Sequence, residues 1–337
     1  MSGRDAEVTL GRTGLTVTRL GLGTAALGGL YEEVVDASAR ETVARAVESG
    51  VRLFDTAPQY GHGLAERRLG SVLAETPRER FVLATKVGRL LRDVPYEEPL
   101  RYYHGTPAVN PVFDFSYDGV RRSVHESLER LGLDRVDILH IHDPDDHYRE
   151  ALDGAHRALV ELRDQGVISA VGAGMNQCAM LARFATDGDF DCFLLAGRYT
   201  LLEQDALNEL LPLCVARGIA VIAGGVYNSG LLADPRPGAP YDYRPVDRLL
   251  LDRALALNAL CDRHHTPLKA AAIQFPLAHP AVSTVLSGAR TRAEFDENRQ
   301  MLEFDVPAAL WEELRGEGLI RPDAPTPADA GARSSAA

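Results

Sequence analysis

The stretch Phe54-Asp55-Thr56-Ala57-Pro58-Gln59-Tyr60-Gly61-His62-Gly63 decides the fold. It continues the apolar run Gly50-Val51-Arg52-Leu53-Phe54, which predicts a short buried strand, and it precedes a segment of helical periodicity over 64–74. Asp55 therefore stands at the carboxyl end of a strand, and Tyr60 in the loop that follows. Strand ends feeding such loops are where α/β enzymes collect reactive groups. A phenol titrates near ~10 and needs electrostatic help to exchange a proton near neutrality.

Two further apolar runs end in candidates for that help. Phe81-Val82-Leu83-Ala84-Thr85-Lys86-Val87-Gly88 ends at Lys86, and Val136-Asp137-Ile138-Leu139-His140-Ile141-His142-Asp143-Pro144 ends at His142. A cation beside the phenol favours its ionised form, and a carboxylate holds that cation in place. Bringing a Tyr down by ~3 units takes about 4 kcal/mol, within reach of a shielded ammonium and a His hydrogen bond.

Working outward, apolar runs at 17–23, 51–54, 81–86, 135–141, 168–173, 190–195, 219–223 and 282–286 predict eight strands. Helical patterns fall at 38–49, 64–74, 117–131, 147–165, 178–186, 204–217, 247–264, 267–276 and 291–301. That alternation predicts an α/β protein, a (β/α)8 TIM barrel, in one domain spanning 1–319. Val8 to Val17 reads as a hairpin with a Gly-containing turn ahead of the barrel. Residues 320–337, rich in Pro, Ala, Ser and Asp, are predicted to be a disordered tail. The segments 87–116 and 224–246 read as long loops on the carboxyl face, a substrate wall and a cofactor cover.

The formal net charge of −12 argues against nucleic acid or anionic membrane as a partner. Cys178, Cys192, Cys214 and Cys261 are scattered without a CxxC pair, as in a cytoplasmic protein with reduced thiols. The polar start carries no signal peptide, and no apolar run approaches the ~18 residues of a membrane span. His140-Ile141-His142 puts two imidazoles on one side of a strand, the opening of many zinc sites, with His104, Asp143 and Asp145 as further ligands in a metal-dependent hydrolase. The reading taken here has no metal, with His142 reactive and His140 beside it in the core.

Asp55, Tyr60, Lys86 and His142, in this order and in four separate local contexts, resemble the catalytic tetrad of the aldo-keto reductases, and the similarity runs from about Val8 to Arg315. Arg101-Tyr102-Tyr103-His104-Gly105 and Leu194 to Leu202 resemble the bacterial branch of that family acting on C1 of aldoses. The resemblance implies oxidation of an aldopyranose, L-fucose or another D-threo-aldose, to its lactone, with pyridoxal as the alternative substrate and an NADPH-dependent carbonyl reductase as a further variant. A nucleotide-binding subunit without turnover would not need the intact tetrad. Tyr60 would accept the proton, Lys86 oriented by Asp55 would lower its pKa, and His142 would orient the substrate oxygen.

The cofactor implied is NAD, with NADP possible. Its binding residues would be Gly23, Thr24, Asp55, Gly174, Asn176, Gly225, Gly288, Arg290, Glu294, Glu297 and Asn298. The family's usual Ser, Gln and aromatic residues around the nicotinamide are replaced here by Gly174, Ala196 and Gly224. Glu294 stands where NADPH-dependent members often carry an Arg for the 2′-phosphate, and a carboxylate there repels a phosphate dianion. Tyr102, Tyr103 and His104, with Tyr60 and His142, would line the sugar, since aromatic faces stack on C–H groups and bear hydrogen-bonding handles. The assembly expected is a monomer or weak homodimer.

Overall fold

The computed structural model describes residues 6–94 and 102–329. Eight strands close a barrel in chain order: β1 Leu20–Gly23, β2 Leu53–Asp55, β3 Val82–Val87, β4 Ile138–His142, β5 Ala170–Met175, β6 Cys192–Ala196, β7 Ala220–Gly224 and β8 Val282–Gly288. Each pairs in parallel with its neighbours, β8 returning to β1. The expected (β/α)8 barrel is the fold.

Successive strand residues face opposite sides of the sheet, and this period of two divides the core. Leu53, Val82, Ala84, Ile138, Ala170, Cys192, Leu194, Ala220 and Ile222 fill the barrel interior, where Leu10 and Val17 of the hairpin Glu7–Thr9 and Thr16–Thr18 join them. Phe54, Leu83, Val87, Leu139, Ile141 and Val171 face outward into the layer shared with the helices. The same alternation carries Asp55, Lys86, His140 and His142 inward, each two residues beyond an interior position. Their inward direction is thus a property of the pleat.

Several expectations change. The helix read over 204–217 begins as a single 3₁₀ turn, Asp205–Leu207, and the α-helix proper is Leu210–Arg217. Pro212 explains the break: its ring clashes with the carbonyl four residues back, so it fits only in a first turn. The helix read over 147–165 contains a π segment, Ala151–His156. The loop 87–116 includes a hairpin, Arg89–Arg92 with Asn110–Phe113, and the loop 224–246 a smaller one, Pro240–Tyr241 with Arg244–Pro245.

The tail is corrected more substantially. Residues 320–329 are folded rather than disordered: Ile320, Ala324 and Thr326 are buried, and Arg315 bonds Ala324 O at 3.1 Å and Asp329 at 3.0 Å. Three side chains suitable for packing lay hidden in a composition dominated by Pro, Ala and Asp. Residues 330–337 and Arg101 lie outside the described residues. No helix among the described residues is long and apolar enough to cross a membrane.

Candidate active site

At the carboxyl mouth of the barrel the register places Lys86 of β3 beside His140 of β4 and, through β2, near Asp55. Lys86 Nζ donates to Asp55 Oδ1 at 2.9 Å, to Asp55 Oδ2 at 2.7 Å and to Thr56 O at 2.9 Å. These bonds hold the ammonium against Asp55 and Thr56, in a pair almost wholly buried. Burial pushes the Asp55 carboxyl up, and the Lys86 charge works against that.

Tyr60 is carried by the turn after β2. The backbone of that turn packs against Gly28, and a Cβ on Gly61, whose φ is +58°, would sit 2.2 Å from Gly28 O. This close approach seats the Tyr60 ring under Lys86, whose Nζ lies 4.6 Å from the ring centroid, and edge-on to His142 at 5.8 Å between centroids. The four side chains read from the sequence converge on one point.

The electrostatics differ from the expectation. Burial first, then the Asp55 carboxylate, hold the Tyr60 phenol well above its ordinary range in the free protein. Lys86, bonded to Asp55 and Thr56, lies 4.6 Å from the Tyr60 ring centroid and presents its charge to the ring. Burial, followed by the cations Arg89 and Lys86, drives His142 well below the usual imidazole range, so it is neutral near pH 7. The resting site therefore holds a protonated phenol and a neutral imidazole.

His140, the other imidazole, fills the barrel interior against Gly172, where a Cβ would fall 2.2 Å from its Nδ1. Burial pushes its pKa down to about 3, and neither ring nitrogen has a partner among the described residues. Asp143 is paired with Arg89 at 3.1 Å. Among the described residues no three His, Cys, Asp or Glu side chains are arranged to hold a metal.

The aromatic side chains expected to line the substrate assemble from distant loops. The N–H of Tyr31 donates to Tyr102 O at 2.6 Å and that of His104 to Gly29 O at 2.9 Å, docking 102–104 on the loop after β1. The Tyr102 ring packs on Tyr243 at 4.8 Å, and Tyr31 approaches Tyr243 at 6.2 Å. Tyr103 meets the His62 ring at 6.3 Å, whereas His104 is exposed. Tyr31, His62, Tyr243 and Arg89 were not expected at the site, and Asp143 was considered only as a metal ligand. His62 and Asp143 lie within the stretches 54–63 and 136–144; Tyr31 and Tyr243 gave no signal, being set there by left-handed turns (φ 66° and 63°).

Most of the residues expected to hold a nucleotide lie around β8 and β1. Gly288 pairs with Gly23, and a Cβ on Gly288 would meet nothing nearer than 3.8 Å, leaving an open backbone shelf. The buried Ser287 hydroxyl has no partner among the described residues. Asn298 donates to Gly288 O at 3.2 Å, which fixes that shelf to the helix Arg292–Glu303. Thr24 gives both its N–H and its hydroxyl to Asp55 O, at 2.9 and 3.0 Å, and so braces the end of β2. Glu297 pairs with Lys269 at 2.8 Å. Gly174 and Gly225 flank the mouth from β5 and β7, and Asn176 is half-buried beyond Gly174. An orphaned hydroxyl and a side-chain-free shelf near a helix start fit a nucleotide.

Comparison with known proteins agrees with this fold. The model of the aldo/keto reductase family matches residues 19–316. Pyridoxal 4-dehydrogenase of Microbacterium luteolum is 45% identical, covering 92% of this chain and 97% of that protein. D-threo-aldose 1-dehydrogenase of a Pseudomonas species is 40% identical, covering 96% and 99%. Among solved structures, aldo-keto reductase AKR11C1 from Bacillus halodurans superposes with a TM-score of 0.74 at 25% identity, covering 96% of this chain and 99% of that one.

Proposed function

The chain belongs to the aldo/keto reductase family of NAD(P)H-dependent oxidoreductases, and we propose that it oxidises the ring hydroxyl of a cyclic hemiacetal, the C1 hydroxyl of an aldopyranose, to a lactone with NAD. The observation that carries the reading is the convergence of Tyr60 and His142 over the buried Asp55–Lys86 pair, roofed by Tyr31, Tyr102 and Tyr243. A bound nicotinamide supplies the acceptor for the hydride leaving the hemiacetal carbon. Tyr60 in its phenolate form takes the hydroxyl proton; in the reverse direction the phenol gives it back. Neutral His142 donates from Nε2 to the same oxygen and holds it as charge redistributes. Asp55 fixes Lys86 beside the phenol ring.

Because Tyr60 rests protonated, oxidation requires the phenol to ionise and is favoured by alkaline pH, while reduction proceeds from the resting state. NAD is favoured over NADP by the adenosine end. Of the two cations there, Arg290 is already held by Glu32 at 2.7 Å and Glu294 at 3.0 Å, and Arg292 lies 3.6 Å from Glu41 and 3.7 Å from Asp296, so a phosphate dianion would meet carboxylates as well.

L-fucose and related threo-configured sugars are the leading substrates. Pyridoxal is the second reading, supported by the 45% identity to pyridoxal 4-dehydrogenase and by a tyrosine roof that would stack a pyridine ring as readily as a sugar face. Its hemiacetal presents the same kind of hydroxyl. The test is absorbance at the reduced-nicotinamide band with NAD or NADP and a panel of L-fucose, D-arabinose, L-galactose, D-galactose and pyridoxal. Turnover with the threo sugars supports the first reading, a response to pyridoxal alone promotes the second, and silence across the panel removes both.

A further inference from the structure

Beyond the tetrad, the mouth of the barrel holds one charged pair that the chemistry above does not use. Asp143 directly follows His142, and its backbone takes a left-handed conformation (φ 40°), with its N–H bonded to Gly174 O at 3.1 Å. A non-glycine residue in that region is uncommon and marks a place where the surroundings dictate the geometry. Here the turn aims the side chain back over the reactive imidazole. Asp143 Oδ2 lies 3.4 Å from His142 Nε2 and accepts from Arg89 Nη2 at 3.1 Å.

Arg89 is fixed from two sides. Its guanidinium stacks over Phe113 at 4.7 Å, across the hairpin Arg89–Arg92 with Asn110–Phe113. Only 12% of its side chain is exposed, against 34% for Asp143, so the carboxylate is the open member of the pair. Asp143 Oδ1 has no protein partner among the described residues, and neither does the buried Nε of Arg89. The His142 ring beside Asp143 stands edge-on to Tyr60 at 5.8 Å between centroids, so the pair lies close to the proton donor.

We propose that Asp143, oriented by Arg89, is the specificity-determining residue that reads substrate hydroxyls next to the reacting carbon. This rests on the reading of the substrate as a polyhydroxylated hemiacetal or aldehyde. A carboxylate accepts only, and its two oxygens suit a pair of vicinal O–H donors. His142 and Tyr60 hold the reacting oxygen, so a carboxylate 3.4 Å from His142 Nε2 falls beside the adjacent carbon. An unhydroxylated substrate would leave the charged oxygen without a donor, the kind of mismatch that gives strong discrimination.

The experiment compares NADH-dependent reduction of glyceraldehyde and of propanal, aldehydes that differ only in two hydroxyls, by the wild type and Asp143→Asn. The wild type should prefer glyceraldehyde. The variant should lose about 10- to 100-fold in kcat/KM for glyceraldehyde, mostly in KM, and stay within about 3-fold for propanal, the size of a charge-assisted hydrogen bond. Equal losses on both aldehydes would make Asp143 a positioning residue for His142 and overturn the proposal, as would a wild type indifferent to the hydroxyls. Arg89→Gln is the independent variant, expected to raise KM for glyceraldehyde more than for propanal; an equal rise on both would count against the proposal. Failure of the sugar panel would sink the aldopyranose reading, while the aldehyde pair still decides the role of Asp143.

Discussion

Replacement of Lys86 by methionine should destabilise the protein far more than the loss of a surface charge, and more so at higher pH. Lys86 is 1% and Asp55 3% exposed, and three hydrogen bonds of 2.7–2.9 Å link the ammonium to the carboxylate and Thr56 O. Methionine fills the stem of the lysine but leaves a carboxylate in dry surroundings. Removing one partner of a buried pair costs about 3–5 kcal/mol, which for a chain of this size lowers the melting temperature by roughly 4–7 °C. The folded Asp55 carboxyl already lies above its unfolded value of 3.8 because of burial, and Lys86 is what restrains it. Without Lys86 the shift grows. A raised carboxyl pKa means the native state binds more protons than the unfolded one, so stability falls as pH rises through that window. The loss should therefore be larger at about pH 8 than at about pH 5. Asp55→Asn combined with Lys86→Met, which removes both charges, should recover most of the stability and none of the activity. Denaturant unfolding and calorimetry at both pH values decide it. A double variant no more stable than the single one, or a loss greater at the lower pH, would refute the reasoning.

Tyr60→Phe should keep nucleotide binding, read by quenching of the single tryptophan or by reduced-nicotinamide fluorescence, and lose at least about two orders of magnitude in kcat; surviving activity would remove Tyr60 from the chemistry. Since the free-protein phenol lies well above its usual range and His142 well below its own, kcat/KM for aldehyde reduction should stay flat through neutral pH and up to the ordinary phenol value of about 10, whereas oxidation should keep rising with pH. A reduction profile that breaks near pH 7 would contradict that assignment. Glu294→Arg should raise the use of NADP relative to NAD, with Glu32→Gln acting in the same direction by freeing Arg290; an unchanged ratio would discredit the adenosine-end argument. Ending the chain after Leu319 should lower the melting temperature by several degrees, since it strips Ile320, Ala324 and Thr326 from their buried places; an unchanged transition would return those residues to the status of a tail.

Much of the barrel was legible because its signals are local. The apolar runs ending at Asp55, Lys86 and His142 are strands by period and length, and interior direction follows from counting by twos along each run. Pro212 was equally visible, and the helix expected through it ignored a constraint the residue itself carries. The substrate wall was half legible. Tyr102 and Tyr103 were expected there, but the imidazole that meets Tyr103 comes from His62, inside the stretch that was quoted for other reasons. Tyr243 lies more than a hundred residues from Tyr102 and carries no motif.

The sequence by itself determined the (β/α)8 architecture and the identity and order of Asp55, Tyr60, Lys86 and His142, because strand periodicity and strand-end position are properties of short segments. Only the tertiary structure decided the charge state of Tyr60, the alliance of Asp143 with Arg89, the capture of Arg290 by Glu32 and Glu294, and the meeting of Tyr31, Tyr102 and Tyr243. Those depend on how much water each group loses and which distant loops converge on it, and burial and long-range contact are written in no local pattern.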